Sequence, residues 1–393
     1  MPVLLYVLAV AVFAQGTSEF VLAGLVPGIS AGLGVSLAQA GYLTSGFAVG
    51  MVVGAPLTAA VGRRLPPRWT LSACLLVFVA AHVAGALTDS FAVLLGTRFL
   101  AAVANAGFLA VALSTVQAVV PAGRRARALA VILGGTTLAL VAGVPAGALL
   151  GELWGWRSAL WAIAGVSAAA LVAVVRLTPV RLDAEAPRAR LDLRTELAAL
   201  RSPRLLHHLA LGVLVNGATF CAFTYLAVVV TDGAGLGSAL VPVVLALFGL
   251  GAFAGVSAAG RLADAHGGRL LVIAGPALLT GWVLWAALAP IPAAAWVLAP
   301  VQGALSFAVG GTLIARSMAA AHGAPTLGGA FSTVALNLGA LAGPVLGGSA
   351  VVALGPAGPL AASAALTAVA VALGATAHAH PAGLGEDVTR PRA

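Results

Sequence analysis

Twelve apolar stretches, each long enough to cross a lipid bilayer, run through this chain of 393 residues. A membrane-spanning helix needs about 20 mostly apolar residues. The stretches fall at 4–25, 39–61, 69–88, 91–119, 127–150, 156–177, 205–231, 238–262, 269–290, 292–320, 326–352 and 356–378. Several are longer than one straight span requires, so tilt or protrusion is expected. Charged residues are 8% of the chain, against about 25% in a soluble domain. A water-facing globular fold and a disordered chain are both excluded, because the apolar surface is too large to hide or to solvate. The runs are continuous rather than alternating, which argues against an outer-membrane barrel. The predicted fold class is an all-α membrane protein with twelve transmembrane helices. Turn signals separate the spans at Pro27-Gly28, Pro66-Pro67, Pro121, Pro290 with Pro292, and Gly355-Pro356.

The formal net charge is +9. In a soluble protein that excess would suggest nucleic acid, but here the placement of the charges gives a different reason for them, and no nucleic-acid partner is expected. All 20 basic residues are arginine, and 17 of them lie in the even-to-odd connections or the C-terminal tail. Arg63, Arg64 and Arg68 stand between spans 2 and 3, and Arg124, Arg125 and Arg127 between 4 and 5. Seven more run from Arg176 to Arg204, Arg261 and Arg269 flank the 8–9 connection, and Arg390 and Arg392 sit in the tail. The opposite connections carry only Arg157, beside Glu152. The positive-inside rule then predicts that both termini are cytoplasmic in a multi-pass membrane protein, and the arginine-for-lysine and Ala/Gly bias of a GC-rich bacterial genome suggests the bacterial cell membrane. No basic residue precedes Gly62, so the first span lacks the positive flank of a signal peptide and reads as a retained helix. Cys74 and Cys221 fall inside spans and predict no disulfide framework.

One long polar segment, 178–203, divides the chain into six spans plus six. Leu191, Leu197 and Leu200 punctuate its charges, which suggests an amphipathic linker helix on the membrane face. The expected domains are 1–177, a linker at 178–204, 205–378 and a tail at 379–393. An internal repeat supports the division. Gly62-Arg63-Arg64 and Gly267-Gly268-Arg269 occupy equivalent loops at an offset of 205, and Gly147 aligns with Gly347 at an offset of 200. Duplicated halves are common among secondary transporters. Three spans also carry glycines at i, i+4 and i+8: Gly46, Gly50 and Gly54; Gly143, Gly147 and Gly151; Gly339, Gly343 and Gly347. Such faces let helix backbones approach closely. They suit either static packing or helices that slide, with Pro145 and Pro344 as bends.

Ionisable residues inside a span are costly and are functional candidates by default. Glu19 is the one acid well inside a span, with Gln15 on the same helical face. A carboxyl in such surroundings can bind and release a proton as they change. Arg98 lies in span 4 with Asn105 two turns on. It is either a partner of Glu19 or a structural cap on backbone carbonyls. Asp264 in the 8–9 turn reads as a charge latch, and Asp232 as a surface residue near the end of span 7. Asn216, Phe220 and Phe223 share a stripe of span 7, and Asn337 adds a polar group in span 11. A mostly apolar lining with few hydrogen-bonding groups suits a neutral or amphipathic ligand. The chain has no GxxxxGK[ST] phosphate loop, no convincing metal spacing and no Ser-His-Asp set, so no cofactor, no metal and no enzymatic activity are expected.

These motifs resemble the major facilitator superfamily in its twelve-span drug:proton antiporter branch, over residues 4–378. The loop signature is matched at Gly260, Leu262, Asp264, Gly267 and Arg269, a gating motif in that family. The first-half copy is degenerate, with Ala55 and Ala59 where the family has glycine and aspartate. Arg98 matches the span-4 arginine that the family associates with proton coupling. The run from Gly143 through Pro145 to Gly147 resembles the span-5 antiporter motif of exporters. Narrower segments resemble actinobacterial chloramphenicol-resistance exporters: Gly16–Phe20, Asn105–Ser114, Asn216–Phe220 and Ala335–Gly339. The resemblance implies two pseudo-symmetric six-helix bundles around a central cavity. It also implies proton-driven export of chloramphenicol or a related neutral drug by a monomer in the lipid bilayer. Proton coupling then falls to Glu19 and Arg98, and drug binding to Gln15, Asn105, Asn216, Phe220, Phe223 and Asn337. Exporters of sugars, nucleosides or an endogenous metabolite share parts of these segments and form the alternative.

Overall fold

A computed structural model describes residues 3–61, 66–121, 124–178, 193–321, 324 and 327–379. Among them are twelve helices long and apolar enough to cross a membrane. The spans are α1 (Val3–Phe20, continued by Leu22–Leu33), α2 (Leu37–Val61), α3 (Pro67–Leu87) and α4 (Phe91–Val119). Next come α5 (Arg125–Leu138 and Val144–Trp154, joined by a π turn at Ala139–Gly143) and α6 (Trp156–Leu177). The second set is α7 (Pro203–Thr224), α8 (Ser238–Leu262), α9 (Gly267–Ala287), α10 (Pro292–Ala320), α11 (Gly328–Leu354) and α12 (Gly358–Ala379). Ile273 is 70% exposed and Val352 77% exposed. Apolar side chains so bare suit a surface solvated by lipid rather than water.

The first span is longer than the sequence reading, and its Pro27-Gly28 break is overturned. Pro27 lies inside the Leu22–Leu33 helix, and the chain turns at Gly34, whose φ of 63° is the left-handed conformation glycine accepts. The interruption of α1 comes earlier, at Val21, directly after Glu19 and Phe20. Span 7 breaks at Tyr225, where φ is −107° and ψ is 17°. Val21 and Tyr225 stand about one repeat offset apart, so the two halves interrupt their first helices at equivalent places.

Helical geometry runs without a gap from Val241 to Ala287, yet this is not one rod. Gly251 packs on Pro300 and Gly281 packs on Gln302. Thirty residues of straight helix would separate those glycines by about 45 Å, so the chain reverses between Leu262 and Gly267.

The three glycine seams pack helices within each half. Gly46, Gly50 and Gly54 face Leu95, Phe99 and Val103 of α4. Gly143, Gly147 and Gly151 face Thr17, Val21 and Leu25 of α1, and Gly339, Gly343 and Gly347 face α7 from Val213 to Cys221. The α1–α5 seam thus has its counterpart in α7–α11. The α2–α4 seam is repeated by α8–α10, where Gly251, Gly255 and Gly303 meet backbone atoms of Pro300, Ala304 and Phe248. Static packing, rather than sliding between halves, accounts for these faces. A Cβ on Gly251 would lie 2.8 Å from the Pro300 carbonyl carbon. Gly251→Ala is therefore expected to destabilise the fold by about 1–3 kcal/mol, the usual range for overpacking. It should lower the thermal midpoint of the detergent-solubilised protein. Gly260→Ala, where a Cβ meets nothing within 4 Å, should leave it unchanged.

Among the described residues the halves meet where α1 packs on α7 and along two seams, α2 with α11 and α5 with α8, which run from the ends opposite the arginine-bearing connections to mid-helix. In the first seam, the Ser45 hydroxyl of α2 donates to the Leu341 carbonyl of α11 at 2.7 Å. Gly41 of α2 lies against the Tyr225 hydroxyl, which itself donates to the Pro344 carbonyl at 2.8 Å. In the second, Gly249 of α8 sits on Leu140 in the π turn of α5, and Ser238 donates to Glu152 at 2.7 Å. Arg157, read as the neighbour of Glu152, instead pairs with Asp89 at 2.5 Å and lies over the Trp156 ring. The linker also departs from expectation. Its helix, Leu193–Ala198, does not simply lie on the membrane face. Glu196 accepts from the Leu327 backbone N–H at 2.8 Å, and Leu200 packs with Leu205, Ala320 and Ala324. Leu191 lies outside the described residues.

Candidate functional site

Glu19 sits at the end of the first α1 segment, near the middle of the full α1 length. It is half-buried and makes no hydrogen bond or ion pair among the described residues. Gln15, one turn earlier on the same face, is 1% exposed, and neither side-chain polar atom finds a partner there. A buried amide without partners is rare and marks a place for water or ligand. Phe20, next to Glu19, closes an aromatic cluster across the halves. Its ring centroid is 5.9 Å from Phe220 and 6.3 Å from Phe223, and Phe223 lies 4.9 Å from Phe248 of α8. Four aromatic rings thus meet where α1, α7 and α8 converge, at the residue that follows Glu19 in the chain.

Arg98 is buried and does not pair with Glu19. Its two terminal nitrogens donate to Ser18, Nη1 to the hydroxyl and Nη2 to the backbone carbonyl, each at 2.6 Å. The guanidinium also lies 4.5 Å over the Phe47 ring, a favourable cation–π geometry. Of the two readings open in the sequence, the carbonyl cap is the one formed here. The cap holds α4 to α1 at the residue beside Glu19. His82 of α3 extends the cluster, with Nε2 2.7 Å from the Ser18 hydroxyl. His82 was not singled out from the sequence, and Ser18 and Phe20 entered only within the Gly16–Phe20 segment. A lone histidine in an apolar span was the available signal for His82.

The expected binding residues divide. Phe220 and Phe223 meet Phe20, and Gln15 lies one helical turn before Glu19. Asn216 donates to the Leu336 carbonyl at 2.6 Å and ties α7 to α11. Asn337 donates to Thr333 within its own helix at 2.9 Å, and Asn105 makes a long contact to the Met51 sulfur at 3.5 Å. These three amides are engaged in packing. A half-open cavity of about 430 Å³ between α7, α9, α10 and α12 of the second half includes none of the expected substrate residues. In the gating motif, Gly267 packs against Thr312 and Arg316, while Arg269 is exposed. The side chain of Asp264 lies outside the described residues, as do the first-half copy around Arg63 and Arg64 and the side chains of Ala55 and Ala59. In the antiporter motif, Gly143 meets Thr17 and Gly147 meets Val21. Pro145 lacks the N–H for an α-helical bond to Val141, and the turn before it widens into the π turn, with Val144 donating to Ala139. Asp232 is exposed, as expected. No group of three metal-ligating side chains occurs among the described residues.

The sequence profile described as the Major Facilitator Superfamily matches residues 8–336. The chain is 54% identical over 372 residues to a Streptomyces lividans protein named "Chloramphenicol resistance protein", covering 94% of this chain and 95% of that one. It is 33% identical over 349 residues to the inner membrane transport protein YdhP of Escherichia coli K12, covering 88% of each. Among solved structures, the nucleoside transporter NupG matches with a TM-score of 0.77 at 14% identity, covering 97% of this chain and 98% of that one. A bacterial homologue of the human lysosomal transporter Spinster matches with a TM-score of 0.76 at 18% identity, covering 95% and 96%. At these identities the structural matches speak to the fold, which is the two-bundle, twelve-helix arrangement expected from the sequence.

Proposed function

The chain belongs to the Major Facilitator Superfamily, and from that premise we propose that it exports chloramphenicol or a related neutral amphipathic drug in exchange for protons. The observation that carries this reading is Glu19: a carboxyl in mid-span without an ion pair among the described residues, one turn from a partnerless amide and followed in the chain by Phe20, which joins an aromatic cluster shared by both halves. The aromatic rings suit the apolar part of an amphipathic drug, and Gln15 offers a donor and an acceptor to its polar groups. The 54% identity to a chloramphenicol resistance protein supports the substrate class.

In this mechanism Glu19 takes a proton from outside as drug leaves and gives it up inward as drug binds. Arg98 is the nearby cation whose distance from Glu19 changes between states. The two bundles, 1–177 and 205–378, rock about the seams that join α2 to α11 and α5 to α8. With both termini in the cytoplasm of a bacterial cell, those seams close the outer side. The working unit is a monomer, each bundle supplying part of one site. Chloramphenicol is neutral, so exchange for one proton moves one charge. The membrane potential then contributes about 2.3 kcal/mol per 100 mV, enough for roughly 50-fold accumulation.

Susceptible cells expressing the chain should accumulate little labelled chloramphenicol, and an uncoupler should raise the level to that of empty-vector cells. Equal accumulation with and without the protein, given confirmed membrane expression, would count against this substrate.

A further inference from the structure

Three helices share a buried chain of hydrogen bonds beside Glu19. His82 Nδ1 lies 2.8 Å from the Phe78 carbonyl, His82 Nε2 lies 2.7 Å from the Ser18 hydroxyl, and Arg98 Nη1 lies 2.6 Å from that same hydroxyl. His82, Ser18 and Arg98 are each at most 2% exposed. The donor inventory assigns the protons. A carbonyl only accepts, so His82 Nδ1 carries a hydrogen. An arginine only donates, so the Ser18 oxygen accepts from Arg98. The hydroxyl proton of Ser18 has one acceptor among the described residues, the bare Nε2 of His82. The chain is therefore complete only with a neutral imidazole protonated at Nδ1.

A proton on Nε2 is incompatible with this arrangement. The Ser18 oxygen would face two cationic donors, and its own proton would lose its acceptor. The two cations would also repel each other across one hydroxyl, away from water. We propose that His82 is a second protonation site, and that a proton bound there frees Arg98 from Ser18 and turns it toward Glu19.

The proton comes from the aqueous side and returns to it: an N–H bond forms at Nε2 as an O–H bond of hydronium breaks, and the reverse step restores both. The inference rests on the reading of Glu19 as the coupling carboxylate. It adds a device that sets when Arg98 reaches that carboxylate. The surroundings offer few competitors. Arg98 of α4 is the charged group that the hydrogen-bond chain brings to the imidazole, and Glu19 of α1 follows Ser18 in sequence. Helix α6, packed along α3, brings only Arg157 and Arg176, at its two ends, and α3 itself adds Arg68 at its start and Cys74 two turns away.

The test is the pH profile of labelled chloramphenicol export in inside-out vesicles, from about pH 5.5 to 8, the range in which imidazoles titrate. His82→Gln sets an amide oxygen near the Nε2 position, where it can accept from Ser18 but cannot take a proton. The wild type is expected to show a limb in this range beyond the dependence that Glu19 itself imposes, and His82→Gln to lose that limb while keeping the Glu19 dependence. Ser18→Ala leaves the histidine in place but removes the hydroxyl through which it acts, and should remove the same limb; it carries the test if the first variant does not fold. Profiles of either folded variant that superimpose on the wild type would overturn the proposal. Full coupled export by Glu19→Gln would instead overturn the underlying reading of the carboxylate, so the two failures are distinguishable.

Discussion

Cells carrying the Glu19→Gln variant should accumulate as much chloramphenicol as cells without the protein. The carboxyl is half-buried and holds no hydrogen bond or ion pair among the described residues. An amide of the same shape therefore breaks no contact, and yield and monodispersity should match the wild type. What is lost is the exchangeable proton. With it goes the coupling of drug movement to the proton gradient and the membrane potential, and with that the roughly 50-fold accumulation that 100 mV can support. Binding should survive, because Gln15 and the Phe20–Phe220–Phe223 cluster are untouched. Drug should still raise the thermal midpoint of the purified variant. Full resistance in cells expressing Glu19→Gln would refute the assignment.

Gly348→Val is expected to stop export by a different route. A Cβ at Gly348 would lie 2.8 Å from the Cα of Ala38 in the opposite half. Real Cβ atoms do not approach backbone so closely, so one half must move away. The Ser45–Leu341 hydrogen bond belongs to the same seam and should open with it. Alternating access requires both sides to close in turn, so a seam wedged apart should reduce export at least about tenfold. A thiol placed by Ser45→Cys, in a background lacking Cys74 and Cys221, reads the seam directly. It should react with a membrane-impermeant reagent in the valine variant and resist it in the wild type. Protection in both would show that the seam tolerates the added side chain.

Much of this architecture was legible because membrane solvation leaves few choices. Apolar runs of about 20 residues must become helices, since no other structure satisfies their backbone groups in lipid. The repeat was likewise readable, and the α1–α5 and α7–α11 glycine seams match across it. Helix interruptions were not. Pro27 signals a break by its missing N–H, yet the chain breaks at Val21, where no residue announces it. The partner of Arg98 was also hidden. Charge alone suggests Glu19, but the fork geometry of a guanidinium is satisfied by Ser18 through one hydroxyl and one carbonyl. Spacing placed Asn216 on a stripe with Phe220, and both do face α11. Only the structure shows that the amide is engaged by the Leu336 carbonyl while the ring meets Phe20. One histidine among mostly alanine and valine carries little pattern, so His82 emerges from contacts rather than sequence.

The most direct test uses purified protein in liposomes loaded with a pH-sensitive dye. Labelled chloramphenicol and internal pH are followed together after a pH gradient is imposed. The account expects drug to move against its concentration gradient while protons move the opposite way, with both fluxes abolished by Glu19→Gln. Drug movement that ignores the pH gradient, or coupled fluxes that persist without the Glu19 carboxyl, would contradict it.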